Sequence, residues 1–254
     1  MSFTLEGRTA LVTGSARGIG RAIATALLAS GANVMLNDLD ASLLEQTASE
    51  LGQPARVHHI GADLTQPDSP AAIVAATLSA FGSIDIIVNN AGYTWDTVIQ
   101  KMTDQQFQAM LDIHLVAPFR ILRAASECIR SAAKSEAATG RRVMRKVVNI
   151  TSIAGTDGNP GQAAYSSAKA GVIGLTKTLA KEWGRYNVNV NAVGFGLIET
   201  RLVQPASPED STLNLHGNAI KIGVPQQALD VDATICGDLT LGIVRKHLEF
   251  FQTY

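Results

Sequence analysis

Thr9-Ala10-Leu11-Val12-Thr13-Gly14-Ser15-Ala16-Arg17-Gly18-Ile19-Gly20 is the stretch that decides the fold. Its first five residues are an apolar run too short for a helix and closed by glycine, which reads as a buried strand. An alanine-rich helix follows to about Ser30 and stops at Gly31. Asn33-Val34-Met35-Leu36-Asn37 is a second strand, and Asp38 ends it. Strand, glycine turn, helix, strand and acid make a dinucleotide-binding βαβ unit. Gly14, Gly18 and Gly20, with Arg17 and Ile19 between them, let backbone N–H groups approach a pyrophosphate at the helix N-terminus. The unit predicts an α/β fold: a Rossmann-like, doubly wound parallel sheet in three layers.

Asp38 stands where a carboxylate can bond both ribose hydroxyls and would repel a 2′-phosphate, which argues for NAD. Arg17 argues the other way, so NADP stays open; it is also read as a solvated cation or a pyrophosphate contact. Arg56-Val57-His58-His59-Ile60 is a third strand running into Gly61-Ala62-Asp63-Leu64. Asp63 could contact an adenine amine, with Leu64 beside it, or could cap the next helix. Ile84 to Val88 is a fourth strand, followed by Asn89-Asn90-Ala91-Gly92. There Asn90, Ala91 and Gly92 let a cofactor ribose lie against backbone, or the asparagines brace neighbouring strands.

Asn149 to Gly171, NITSIAGTDGNPGQAAYSSAKAG, carries the chemistry. It leaves a fifth strand, crosses a loop marked by Gly155, Gly158, Pro160 and Gly161, and enters a helix. Ser152 lies just past the strand's carboxyl end, where open α/β sheets place ligands. Tyr165 and Lys169 are four residues apart and share a helical face. A phenol titrates near ~10, and a neighbouring ammonium lowers that value. With Ser152 bonding the same substrate oxygen, the trio suits proton exchange at a carbonyl or alcohol. The alternative is an ordinary surface pair.

The helix from Asp104 to about Ser131 is apolar almost all round, as is the one after Tyr165, which predicts a homodimer or homotetramer. Ala132 to Lys146, with Arg141, Arg142 and Arg145, reads as a solvated surface loop. Val188 to Val193 is a sixth strand, and Gly194 to Thr200 leaves its end as a loop able to close over a nicotinamide. Thr200 there bonds the carboxamide or a phosphate, or caps a helix.

The chain has 254 residues, 46% hydrophobic and 17% charged, and its net charge of −1 gives no reason to expect nucleic acid or an acidic surface as partner. Two cysteines, Cys128 and Cys236, build no disulfide framework. With no leader and no membrane span in the sequence, the expected location is the cytoplasm. One domain over residues 1–254 is expected, and no metal set accompanies His58 and His59.

Thr13-Gly14-x-x-x-Gly18-x-Gly20, Asn89-Asn90-Ala91-Gly92, Ser152, Tyr165-x-x-x-Lys169 and Asn191-x-x-x-x-Gly196-x-x-x-Thr200 together resemble the short-chain dehydrogenase/reductase family in its single-domain form. Asn90 to Asp96 and the helix beyond look most like its 3-oxoacyl-[acyl-carrier-protein] reductase branch. The resemblance implies Tyr165 as general acid/base, Lys169 as its activator and a ribose ligand, and Ser152 as the substrate-oxygen clamp. It implies that Ile198 and Thr200 hold the carboxamide end. It also implies hydride transfer between NAD(H) and a ketone or secondary alcohol, such as a 3-oxoacyl thioester. Three departures stand out. His114 replaces the family's usual asparagine, and either keeps a proton relay in altered form or only bonds a helix carbonyl. Phe195 replaces a proline. Residues 202–254 form a divergent tail in which Leu248 to Tyr254 resembles a makeshift edge strand. These departures keep two alternatives in play: a catalytically silent nucleotide-binding sensor or assembly subunit, and a hydroxysteroid or sugar-alcohol dehydrogenase.

Overall fold

The computed structural model describes residues 4–196, together with the backbone of residues 205–207, 210–215 and 218–221. Strands β1 (Thr9–Thr13), β2 (Asn33–Asp38), β3 (Val57–Gly61), β4 (Ile86–Asn89), β5 (Arg145–Ser152) and β6 (Val188–Phe195) form one parallel sheet. Their order is β3-β2-β1-β4-β5-β6. The winding reverses between β1 and β4, which opens a crevice at the strands' carboxyl ends.

Alternate strand residues feed two cores. Leu11, Met35, Ile87, Val147 and Val190 pack on one face with Ile73 of α3 (Ser69–Phe81) and Ile121 and Leu122 of α5 (Ala117–Ala138). Ala10, Val12, Val34, Leu36 and Val88 pack on the other with Ala24 and Leu27 of α1 (Gly18–Ala29) and Leu44 of α2 (Ala41–Leu51). Burial on both faces is why β1 and β4 read as unbroken apolar runs. The expected three layers are present.

The long helix predicted from Asp104 differs in two ways. It is α4 (Asp104–Leu111), then a π-turn over Asp112–Val116, then α5, which passes Ser131 to reach Ala138. A reciprocal Thr103–Gln106 capping box starts it. Nor is it apolar all round. Helix α5 buries one stripe, Ala117, Ile121, Leu122, Ala125 and Ile129, and turns Arg123, Glu127 and Arg130 outward; Phe119 is the exception.

Residues 132–146 are not a solvated loop. Their first part is helix, and Arg145 and Lys146 open β5, both buried. The Arg145 guanidinium donates to Glu136 Oε1 at 2.6 Å and Oε2 at 3.0 Å, with Asp85 3.8 Å away. A bidentate carboxylate is what makes burying that charge tolerable.

Between β5 and α7 (Ala163–Trp183) the predicted loop contains one helical turn, α6 (Ala154–Asp157). Beyond β6, β8 (Asp210–Leu215) pairs antiparallel with β7 (Pro205–Ser207) and β9 (Asn218–Lys221) in a small sheet that the sequence reading did not foresee. Ile198, Thr200 and the edge strand expected at Leu248 to Tyr254 lie outside the described residues. Among the described residues no helix is long and apolar enough to cross a membrane.

Candidate active site

The glycine turn after β1 is shaped by close approach. A Cβ on Gly14 would lie 2.7 Å from Ala91 Cα, and one on Gly20 would overlap the Gly14 carbonyl oxygen. Arg17, at the N-cap of α1, is extended and makes no side-chain cap, so the first-turn N–H groups are left without one and can take an anion. The space beside Gly18 is clear of other atoms for 4 Å. Asn90 fixes the far wall: its Nδ2 donates to the carbonyls of Thr13 and Gly14, both at 3.0 Å, while Thr13 Oγ1 accepts from the N–H groups of Asn90 and Ala91. Cradle, clear space and uncapped helix end together fit a dinucleotide pyrophosphate.

At the end of β2, Asp38 accepts from the Ala16 N–H at 3.0 Å and the Asp40 N–H at 3.3 Å. The carboxylate is thus aimed by backbone and keeps lone pairs for ribose hydroxyls. Arg17 lies 3.4 Å from Asp40 and is exposed, as a solvated loop cation would be. Asp63 closes its own turn, accepting from the N–H and Oγ1 of Thr65 and from Gln66 Nε2. Burial raises its carboxyl, but those bonds win and hold it below its ordinary value. It does not cap the next helix, because α3 starts at Ser69 behind Asp68. The Leu64 side chain is buried in the core, so only its backbone is available to a ligand.

Ser152 is the last residue of β5, and its Oγ accepts from the Ala154 N–H at 3.2 Å. Lys169 Nζ donates to the Ile150 carbonyl at 2.7 Å, while its own carbonyl accepts from Thr151 Oγ1 at 2.9 Å. Helix α7 is stitched to β5 through this residue. With Lys169 only 4% exposed, the surface-pair alternative is overturned. Its Nζ lies 5.6 Å from the centre of the Tyr165 ring. The charge balance departs from the sequence expectation. Burial raises the Tyr165 phenol above its ordinary value; a Ser152 hydrogen bond opposes this and the Asp96 charge adds to it. Burial also brings Lys169 from 10.5 down to about 7. Loss of water penalises phenolate and ammonium alike, and outweighs their attraction.

His114 sits in the π-turn and is buried. Its Nε2–H donates to the carbonyl of Tyr93, in the loop after β4 rather than in a helix, at 2.6 Å. Its ring meets Tyr165 edge to face, and among the described residues Nδ1 has no partner. Burial first, and then the Lys169 charge, hold the imidazole well below 6.5 against the pull of the Tyr93 bond, so the ring is neutral. A Cβ on Gly92 would overlap His114 Cε1, so the histidine depends on that glycine.

The asparagines after β4 brace neighbouring strands, as one sequence reading had it, and further supports escape sequence reading. Asn89 Nδ2 donates to Asn149 Oδ1 at 2.8 Å, and Asn149 Nδ2 to Thr176 Oγ1 at 2.9 Å, a buried ladder tying β4 and β5 to α7. Gln162 Nε2 donates to Asp96 Oδ2 at 2.6 Å, and the Thr97 N–H to the Gly161 carbonyl at 2.9 Å. The signal for Thr13 is its place just before Gly14, and for Asn149 its place in the strand that ends at Ser152. Asp96 and Gln162 carry none. Ser152, Tyr165, Lys169 and His114 converge at the carboxyl ends of β4 and β5, beside the glycine cradle, where they can clamp a carbonyl oxygen and give it a proton.

A family model described as short chain dehydrogenase matches residues 8–211. The 3-oxoacyl-[acyl-carrier-protein] reductase of Synechocystis sp. is 39% identical over 207 residues, 81% of this chain and 80% of that protein. Nodulation protein G of a Rhizobium species is 40% identical over 200 residues, 79% of this chain and 77% of that protein. Among solved structures, a Brucella melitensis 3-ketoacyl-(acyl-carrier-protein) reductase complexed with NADH superposes with a TM-score of 0.72 at 28% identity, covering 79% of this chain and 80% of that one.

Proposed function

The chain belongs to the short chain dehydrogenase family, and we propose that it is an NAD(H)-dependent oxidoreductase that reduces a ketone, with a 3-oxoacyl thioester as substrate. The observation that carries this reading is Lys169, buried, bonded to Ile150 and set behind Tyr165 next to Ser152. In this reading Gly14, Gly18, Gly20, Asp38, Asn90, Ala91 and Gly92 hold the dinucleotide.

A reduced nicotinamide, when bound there, would supply the hydride. Ser152 bonds the substrate oxygen and fixes the carbonyl. The Tyr165 O–H, protonated at neutral pH, gives that oxygen its proton as charge develops. Lys169, poised near neutrality, restores the proton to Tyr165. The reductive direction needs the phenol in its protonated form. Asp38 favours NADH over NADPH. Self-association as a dimer or tetramer stays an expectation from the sequence. The cytoplasm remains the expected location.

The test is oxidation of NADH and of NADPH with a short 3-oxoacyl thioester, wild type beside Tyr165→Phe. Turnover with NADH that is lost in the variant supports reaction, acid and cofactor choice together. Turnover only with NADPH overturns the role given to Asp38. Unchanged turnover in the variant overturns Tyr165 as the acid.

A further inference from the structure

Arg17 in the glycine turn and Asp40 just past β2 meet beside Asp38. Arg17 Nη2 donates to Asp40 Oδ2 at 3.4 Å. Asp38 joins the two sides. Its Oδ2 accepts from the N–H of Ala16, the residue before Arg17, at 3.0 Å, and its Oδ1 accepts from the Asp40 N–H at 3.3 Å. The pair therefore borders the carboxylate read as the ribose ligand. Its side chains are 48% and 42% exposed, so a ligand can reach them.

The two partners are held differently. Asp40 is the N-cap of α2: its Oδ1 accepts from the Leu43 N–H at 3.1 Å and from Ser42 Oγ at 3.5 Å, and the positive end of the helix favours its charge. The Arg17 guanidinium has Asp40 as its one partner among the described residues. Nor is this pair what fastens α2 to the glycine turn. Buried Thr47 donates to the Ala16 carbonyl at 2.7 Å, and Arg21 pairs with Glu50 at 2.7 Å. An arginine beside the ribose carboxylate is the residue type that takes a 2′-phosphate, through two parallel N–H bonds. Here its charge is already met.

We propose that Asp40 is a positioning residue for cofactor choice: it occupies Arg17 and so withholds from NADPH the cation that would bind its 2′-phosphate. The inference rests on the reading of the site as a dinucleotide site with Asp38 at the ribose. Preference for NADH then comes from two carboxylates that act differently. Asp38 repels the phosphate directly, and Asp40 removes the attraction that would offset that repulsion. A phosphate that takes Arg17 must first break the pair, and an exposed pair of this kind changes binding by up to about fivefold.

The experiment measures Kd for NADH and for NADPH by the fluorescence of the reduced nicotinamide, without substrate and at one low ionic strength. The proteins are wild type, Asp40→Asn, Arg17→Gln and the double variant. Asparagine keeps a cap for Leu43 and removes the charge, so a purely structural role moves both Kd values alike and leaves their ratio where it was. The expected result is a wild type that binds NADH more tightly, and a ratio that shifts roughly two- to fivefold towards NADPH in Asp40→Asn. In the Arg17→Gln background the same substitution should leave the ratio in place. Asp40→Ser, which also caps, should repeat the shift. An unmoved ratio in Asp40→Asn overturns the proposal. So does an equal shift in both backgrounds, because Asp40 would then act by its own charge and not through Arg17. A wild type that binds NADPH as tightly as NADH overturns it too, since Arg17 would be free to take the phosphate. Binding of neither dinucleotide overturns the reading of the site and this proposal with it, whereas NADH binding with an unmoved ratio overturns the proposal alone.

Discussion

The imidazole of His114 stands edge-on to the ring of Tyr165, with centroids 4.9 Å apart and planes at 89°. Its other edge lies against Gly92, where a methyl group has no room. Gly92→Ala must therefore push the ring, at a cost of about 1–3 kcal/mol. In a His114→Ala background the methyl fits. Chemical denaturation of the single and double variants should show coupling of about 1 kcal/mol or more; simple additivity would remove the contact from the account.

Losing the ring also frees Tyr165. His114→Ala should lower kcat about ten- to a hundredfold. His114→Phe, which keeps an edge but no donor for the Tyr93 carbonyl, should recover part of the rate. Equal rates in the two variants would show that the hydrogen bond matters and the ring contact does not.

Lys169 works at the fold's expense. The fall from 10.5 to about 7 corresponds to roughly 5 kcal/mol of penalty for holding a buried ammonium. The folded value is the lower one, so the penalty is complete below about pH 7 and fades as the pH climbs towards 10.5. Lys169→Met should abolish turnover yet raise stability at pH 7 by about 1–3 kcal/mol, after subtracting the lost bond to Ile150. The gap to wild type should shrink by pH 9.5. Denaturation curves at the two pH values test both statements.

Glu136→Ala strands Arg145 between Asp85 and the core and should cost about 3 kcal/mol. In the intact pair the Arg145 hydrogen bonds hold the Glu136 carboxyl below 4.5. Its contribution is therefore present above pH 4.5 and lost as the pH falls through the lower folded value. Thermal melts at pH 7 and pH 3.5 should show a smaller gap between wild type and variant at the lower pH.

Asp38→Ser removes the carboxylate that a 2′-phosphate would meet. The NADPH to NADH ratio of kcat/KM should rise about tenfold, near 1.4 kcal/mol. No change would mean that Arg17 or another group sets the preference.

The βαβ unit is legible because its signals are local: five apolar residues, glycines at fixed steps, an acid at the next strand's end. Tyr165 and Lys169 are legible as a pair, but not their burial, which depends on the Ile150 carbonyl and so on β5. The error over Arg145 has the same source. A run of basic residues reads as solvated until Glu136 is found waiting across the turn at the end of α5. Asp96 and Gln162 meet across 66 positions, and no period or motif announces that. The small sheet had a faint signal: Leu213 and Leu215 alternate with polar residues before His216-Gly217. The π-turn had none, since its hydrogen-bond pattern leaves composition untouched.

That π-turn works as a phase-shifter. Five residues, Asp112 to Val116, let the chain take in one more residue than a plain helix would without turning everything behind it. Deleting one of them would let the α-helix close up with α5 still in phase. Ile121, Leu122 and Ile129 would go on facing the sheet and Arg123 and Glu127 the solvent. What the deletion would take away is the wide turn that seats His114 against Tyr165.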